Sequence, residues 1–248
     1  MQITPTVKQL LIINILFFVG SQIVGDVSYD YLSLFFFENA KFQFWQPISH
    51  MFMHGSIMHI AFNMFALYSF GSVLENFWGA KKFLFFYISC GLGAALLHTG
   101  VNYFLFHDGL ETLLQAGISK SDIYSLLNQG KIDSQWTEIL GASGMERFAG
   151  AFASPAVGAS GAIYGLLVAF AFMVPNAELA LMFIPVPIKA KYFVPGLLCV
   201  DLFLGVSGNS IFGGGTGIAH FAHIGGAVVG FLMVWFWKKN SFNSNRWN

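Results

Sequence analysis

Charge is what this sequence has least of. Only 10% of its 248 residues are Asp, Glu, Lys or Arg, while 56% are hydrophobic. Soluble domains carry about 25% charged residues. So few charges cannot solvate a globular surface, and the composition points to a membrane protein. Basic and acidic residues balance at twelve each, so there is no electrostatic footprint for a nucleic acid and no acidic tail. Cysteine is nearly absent. Cys90 and Cys199 lie in apolar runs without CxxC spacing; they read as small core residues, and a disulfide framework is not expected. There is no HExxH motif, internal repeat or low-complexity stretch. Glycine, by contrast, is abundant at 27 residues. In membrane helices it lets neighbouring backbones approach closely.

A membrane span needs about 20 mostly apolar residues. Six stretches qualify: residues 9–25, 57–74, 83–106, 160–174, 192–211 and 217–237. Lys8 before the first run suits a signal peptide, but no small-x-small cleavage site follows it. The expectation is an all-α membrane protein, a single domain over residues 1–248 built as a bundle of six transmembrane helices. An extended external loop, residues 107–157, separates helices 3 and 4. Within it, Leu110, Leu113 and Leu114, then Ile123, Leu126 and Leu127, have the spacing of short amphipathic helices.

Basic residues orient the bundle. Lys8, Lys81, Lys82, Lys189, Lys191, Lys238, Lys239 and Arg246 all fall on one side of a six-span arrangement. The other side holds Lys41, together with Lys120, Lys131 and Arg147 of the long loop. Both termini are therefore expected in the cytoplasm.

Polar groups at membrane depth are costly, and each is a candidate for function. They are His54, His59 and Asn63 at the start of the second span, His98 in the third, Ser160 opening the fourth, Asp201 in the fifth, and His220 and His223 in the sixth. Even-numbered spans start on the external side. Three helices thus bring polar groups to one level, which water can reach.

Gly158-Ala159-Ser160-Gly161 sets a serine between glycines at a helix start. The unpaired N–H groups and positive dipole end there suit an anionic intermediate. The plainer reading is an N-cap serine. Gly141-Ala142-Ser143-Gly144 has the same pattern, but Glu146 and Arg147 follow it; context selects Ser160. Gly226 and Gly230 form a small-residue face below His223, and Gly161 and Gly165 form one below Ser160. Packed together, these faces would bring His223 to Ser160 as a general base. Gly225, one position round the helix, is expected to face elsewhere. The plainer reading of His223 is a buried, satisfied ring. His59 and Asn63 are four residues apart and share a helix face. With the Ser160 N–H they could form an oxyanion hole, or they could be interhelical polar glue.

Taken together, these residues resemble the rhomboid family of intramembrane serine proteases, over residues 45–75, 158–164 and 219–230. The family's HxxxxHxxxN pattern is matched by His54, His59 and Asn63, its GxSG by Gly158, Ser160 and Gly161, and its base histidine with GxxxG by His223, Gly226 and Gly230. The resemblance implies an intramembrane serine endopeptidase with a Ser160–His223 dyad, and Tyr164 stacked under the histidine. It implies single-span transmembrane substrates within the lipid bilayer, a bacterial inner-membrane location, and no cofactor or metal. One position departs. Where the family often has Trp-Arg in the first external loop, this chain has Trp45-Gln46, which puts that loop's bracing contact in doubt. Two rival readings stand beside it: a metal site or transporter using His54, His59, His220 and His223, and a catalytically inactive rhomboid-like binder. Asp201 has no assigned role; a cytoplasmic-side lysine or another helix could pair with it.

Overall fold

The computed structural model describes residues 2–181, 184–208 and 217–244. Helix α1 (Pro5–Val24) is followed by a short α2 (Asp26–Leu32) and, beyond an irregular loop, by α3 (Gln46–Ser49). Helix α4 (Ile57–Trp78) contains a π-helical turn at Leu67–Gly71. A long α5 (Ala80–Gln115) leads to α6 (Lys120–Asn128) and α7 (Ser134–Ala153). Then come α8 (Ser160–Met173), a hairpin of β1 (Glu178–Leu181) and β2 (Ile184–Lys189), α9 (Ala190–Ser207) and α10 (Ile218–Ser244).

Among the described residues, α1, α4, α5, α9 and α10 are long and apolar enough to cross a membrane. The expected fourth span is α8, an apolar helix of only 14 residues. At 1.5 Å per residue it is about 21 Å long, short of the roughly 30 Å of hydrocarbon. Its residues from Gly161 to Phe170 are buried apart from Tyr164, and it packs against α5 and α10. A helix walled in by protein does not have to match the lipid thickness on its own. The hairpin was not expected. Glu178 pairs with Lys189 and Leu179 with Ile188; Pro185 and Pro187 deny this stretch a helix because they lack the donor. The expected fifth span ended at Ile211, and the basic set included Arg246; both positions lie outside the described residues.

Helix α1 starts at Pro5, where a proline costs no hydrogen bond. Its free N–H groups at Thr6 and Val7 donate to the Glu75 carboxylate at 3.0 and 2.9 Å, and the Thr4 hydroxyl donates to it as well. A buried carboxylate of α4 thus satisfies the positive end of α1.

The 107–157 segment carries the end of α5, then α6 and α7, in keeping with the amphipathic spacing read from the sequence, and these helices form a subdomain. Leu110 and Leu113 of α5, Ile123 and Leu127 of α6, and Trp136, Met145, Phe148 and Phe152 of α7 bury a separate core with Phe36. Helix α7 kinks at Gly141, whose φ of 70° favours glycine. The first loop docks onto this subdomain. Leu34 pairs with Ala156, and Asn39 donates to the Phe152 carbonyl at 2.9 Å. Gln46, at the position where the resemblance implies an arginine, supplies bracing of its own. Fully buried, it accepts from the Phe35 N–H at 3.2 Å and donates to the Lys41 carbonyl at 2.9 Å.

Candidate active site

Ser160 and His223 meet at the end of the bundle that carries the subdomain. Gly158 has φ 120° and donates its N–H to the His50 carbonyl at 2.9 Å. This turns the chain sharply into α8, and Ser160 is the first residue of that helix. Ala159 occupies the cap position, and no side chain caps the helix; the N-cap reading of Ser160 does not hold. The Ser160 Oγ instead lies 2.9 Å from His223 Nε2. The Tyr164 ring, one turn on, stacks under the imidazole at 4.2 Å between centroids and 8° between planes. Ser143, in the matching tetrapeptide, is exposed on α7.

The glycine faces explain how the two helices come so close. A Cβ built on Gly226 would lie 1.8 Å from the Gly161 carbonyl oxygen, and one on Gly230 would lie 2.7 Å from Gly165 Cα. Contact at this range leaves room for hydrogen atoms only. Gly225 faces away from α8, as expected, but bulk there is no milder, because the direction it faces is not open. A Cβ there would meet the Gly93 carbonyl oxygen of α5 at 2.5 Å. Helix α10 is seated between α5 and α8, so adjacent glycines serve two different neighbours.

On α4, His59 Nδ1 accepts a long bond of 3.4 Å from the Gly55 N–H. That leaves the proton on Nε2, which becomes a donor. A Cβ on Gly158 would fall 2.7 Å from this Nε2 and 3.6 Å from Ser160 Oγ. Glycine therefore keeps the space between donor and hydroxyl open. Asn63, one turn further on, is buried, and its amide nitrogen has no hydrogen-bond partner among the described residues. Buried donors are seldom left unpaired, so this one is available to a ligand or water. His54 is buried with its ring 5.1 Å from that of His59, and its backbone carbonyl accepts from the Tyr29 hydroxyl at 2.8 Å.

Asp201 is the residue that the sequence flagged but could not place. Buried on α9, it presents Oδ1 to His223 Nδ1 at 3.2 Å and to His220 Nδ1 in a short contact. Its ion-pair partners among the described residues are these two histidines, not the cytoplasmic-side lysine that the sequence allowed. Candidate ligand atoms of Asp201, His220 and His223 lie within 4.8 Å of one another. The grouping of two histidines and a carboxylate suits a transition metal. It is not the four-histidine set of the rival metal reading, since Asp201 stands in it and His54 and His59 do not.

Among the described residues, five helices able to cross a membrane, with a serine and a histidine in hydrogen-bond contact between α8 and α10, define a multi-pass helical membrane protein with an internal polar site. The chain belongs to the rhomboid family: the family's Rhomboid domain matches residues 41–240. It is 27% identical over 199 residues to "Rhomboid protein 1, mitochondrial" of Saccharomyces cerevisiae, covering 77% of this chain and 41% of that protein. It is 29% identical over 197 residues to "Rhomboid protease AarA" of Providencia stuartii, covering 75% and 53%. It is 25% identical over 186 residues to the human "Presenilin-associated rhomboid-like protein, mitochondrial", covering 75% and 35%. The chain spans about half or less of the length of these curated relatives.

Proposed function

We propose that this protein is an intramembrane serine endopeptidase that cleaves single-span transmembrane proteins, with Ser160 as nucleophile and His223 as general base. The observation that carries this reading is the 2.9 Å contact between His223 Nε2 and Ser160 Oγ, with Tyr164 holding the ring from below. Serine needs an adjacent base to attack a peptide carbonyl. In the first step Ser160 Oγ bonds to the carbonyl carbon and its proton passes to Nε2. As the C–N bond breaks, that proton goes to the leaving amine. His59 Nε2–H, the Asn63 amide and the Ser160 N–H would hold the oxyanion. His54, Gly158, Gly161, Gly226 and Gly230 support this geometry without touching the reacting atoms. The similarity to a protein named a rhomboid protease agrees with the reading.

A six-span arrangement in a bacterial inner membrane, α8 counted as the fourth span and both termini cytoplasmic, accounts for Lys81, Lys82, Lys189, Lys191, Lys238 and Lys239 on one side. A reporter placed between Lys120 and Lys131 would then read external, and one after Lys239 cytoplasmic.

The deciding experiment is cleavage of a model transmembrane substrate, with fluorophosphonate labelling in parallel. Ser160→Ala should abolish both while the fold persists, and Ser143→Ala should leave both near wild type. Full activity in Ser160→Ala overturns the reading. The metal reading has one specific observation in its favour, the Asp201, His220 and His223 cluster. It predicts tightly bound metal in the purified protein, and activity lost to a chelator.

A further inference from the structure

Asp201 sits in an apolar span, buried, with its carboxylate turned toward the dyad. An ionised carboxylate can only accept hydrogen bonds. Its contact at 3.2 Å therefore requires the proton of the neutral His223 ring to be on Nδ1. Nε2 is then the unprotonated nitrogen, and it is the one that faces Ser160 Oγ at 2.9 Å. The ring is held from three directions: the Ser160 hydroxyl at one nitrogen, the Asp201 carboxylate at the other, and the Tyr164 face beneath. The Asp201 oxygen that faces His223 also faces His220 Nδ1. The second histidine thereby anchors the carboxylate from the same helix that carries the base.

We propose that Asp201 is a positioning residue that fixes the reactive tautomer of His223, and that His220 holds Asp201 in place for that task. This inference rests on the protease reading of Ser160 and His223. When Ser160 gives its proton to Nε2, His223 becomes a cation next to a carboxylate in a low-dielectric interior. The developing charge is stabilised there, and Asp201 itself takes no proton. Asp201 touches neither substrate nor serine; it acts through His223. The site thus has a serine, a histidine and an acid from three separate helices, α8, α10 and α9.

The test is Asp201→Asn in the full chain, purified in detergent, with initial rates measured over a range of transmembrane substrate concentrations. An amide can donate to Nδ1 and so favour the wrong tautomer. In soluble serine proteases the equivalent change costs about 10⁴ in kcat with the geometry kept. The expected result is a kcat lower by roughly 10²–10⁴-fold with KM little changed, fluorophosphonate labelling slowed in parallel, and melting temperature near wild type. His220→Ala should give a smaller loss of kcat, again with KM little changed.

An unchanged kcat in Asp201→Asn overturns the inference. So does a loss shared by KM and melting temperature, which would assign Asp201 to packing alone. Chelator-sensitive activity restored by zinc also overturns it, in favour of a metal centre. Should Asp201→Asn fail to fold, the wild-type protein carries the test. A downfield imidazole N–H proton resonance that disappears in His223→Ala supports the inference, and its absence sinks it. Ser160→Ala separates the two levels. An active Ser160→Ala overturns the protease reading, whereas an inactive Ser160→Ala beside a fully active Asp201→Asn overturns the role of Asp201 alone.

Discussion

Gly226 of α10 rests directly on Gly161 of α8, so close that a Cβ on Gly226 would stand 1.8 Å from the Gly161 carbonyl oxygen. Ser160 precedes Gly161 and His223 lies three residues before Gly226, so this backbone contact bears directly on the separation of Ser160 and His223, the proposed dyad. Gly226→Ala forces one helix to move. Overpacking typically costs about 1–3 kcal/mol, and a misplacement of about 1 Å can cost about 10²-fold in rate. Cleavage should fall by roughly that factor, with a lower melting temperature. Gly225→Ala should also lower the melting temperature, because its Cβ would meet the Gly93 carbonyl oxygen at 2.5 Å. Gly196→Ala on α9, with nothing within 4 Å, is the tolerant control. A Gly226→Ala protein as active and stable as Gly196→Ala would remove the interface from the account of the dyad.

His59→Ala removes the donor nearest the open space over Gly158. Loss of one oxyanion donor costs about 10²–10³ in kcat, and that is the expected drop. Asn63→Ala should cost less, since His59 and the Ser160 N–H remain. Fluorophosphonate labelling should slow in both variants but persist, because Ser160 and His223 keep their contact. Complete loss of labelling in both would point to collapse of the helix interface instead.

Gln46→Ala should loosen the first loop. It strands the Phe35 N–H and the Lys41 carbonyl, which the Gln46 side chain satisfies from a fully buried position. Buried polar groups left unpaired cost about 1–3 kcal/mol. Thermal unfolding and limited proteolysis near residues 33–45 are the measurements. Unchanged protease resistance would show that the loop is held by other contacts.

Acid should loosen the same region through Glu38. Burial works against its charged form, but hydrogen bonds from Tyr124 and His107, with the nearby charges of His107 and Lys120, outweigh that and lower its pKa. A carboxylate with a depressed folded pKa stabilises the fold above the ordinary glutamate value of about 4.3. That stability is lost as pH falls through the lower, folded value. The group is part-exposed, so the effect should be no more than about 1 kcal/mol. Protease sensitivity of the 107–157 subdomain should therefore rise below about pH 4.3 in the wild type, and less steeply in Glu38→Gln. Parallel pH profiles for the two proteins would dissociate Glu38 from the docking.

Much of this molecule is legible in one dimension. Low charge and long apolar runs locate the helices, because lipid demands about 20 apolar residues per crossing. A serine between glycines, a histidine above a glycine face and a His59–Asn63 pair stand out because polar groups in apolar runs are costly and few. Even the pairing of the two glycine faces is readable, since both repeat every four residues on their helices.

What the sequence alone could not decide is whatever depends on how a helix is rotated and what lies beside it. Asp201 is visible as an intramembrane carboxylate, but its contacts with His220 and His223 follow from the rotation of α9 against α10, which no spacing in a uniformly apolar helix encodes. Gly225 is clear of α8 and is packed because α5 lies on the other flank. Residues 107–157 look polar enough for a loop, yet they bury a separate core because Phe36, Phe106 and Phe152 converge from distant positions. Gln46 braces the first loop because its partners, the Phe35 N–H and the Lys41 carbonyl, are backbone groups that the loop brings to it from elsewhere in the chain. Patterns along a chain report how each segment meets water or lipid; which segments meet one another is settled by packing in three dimensions.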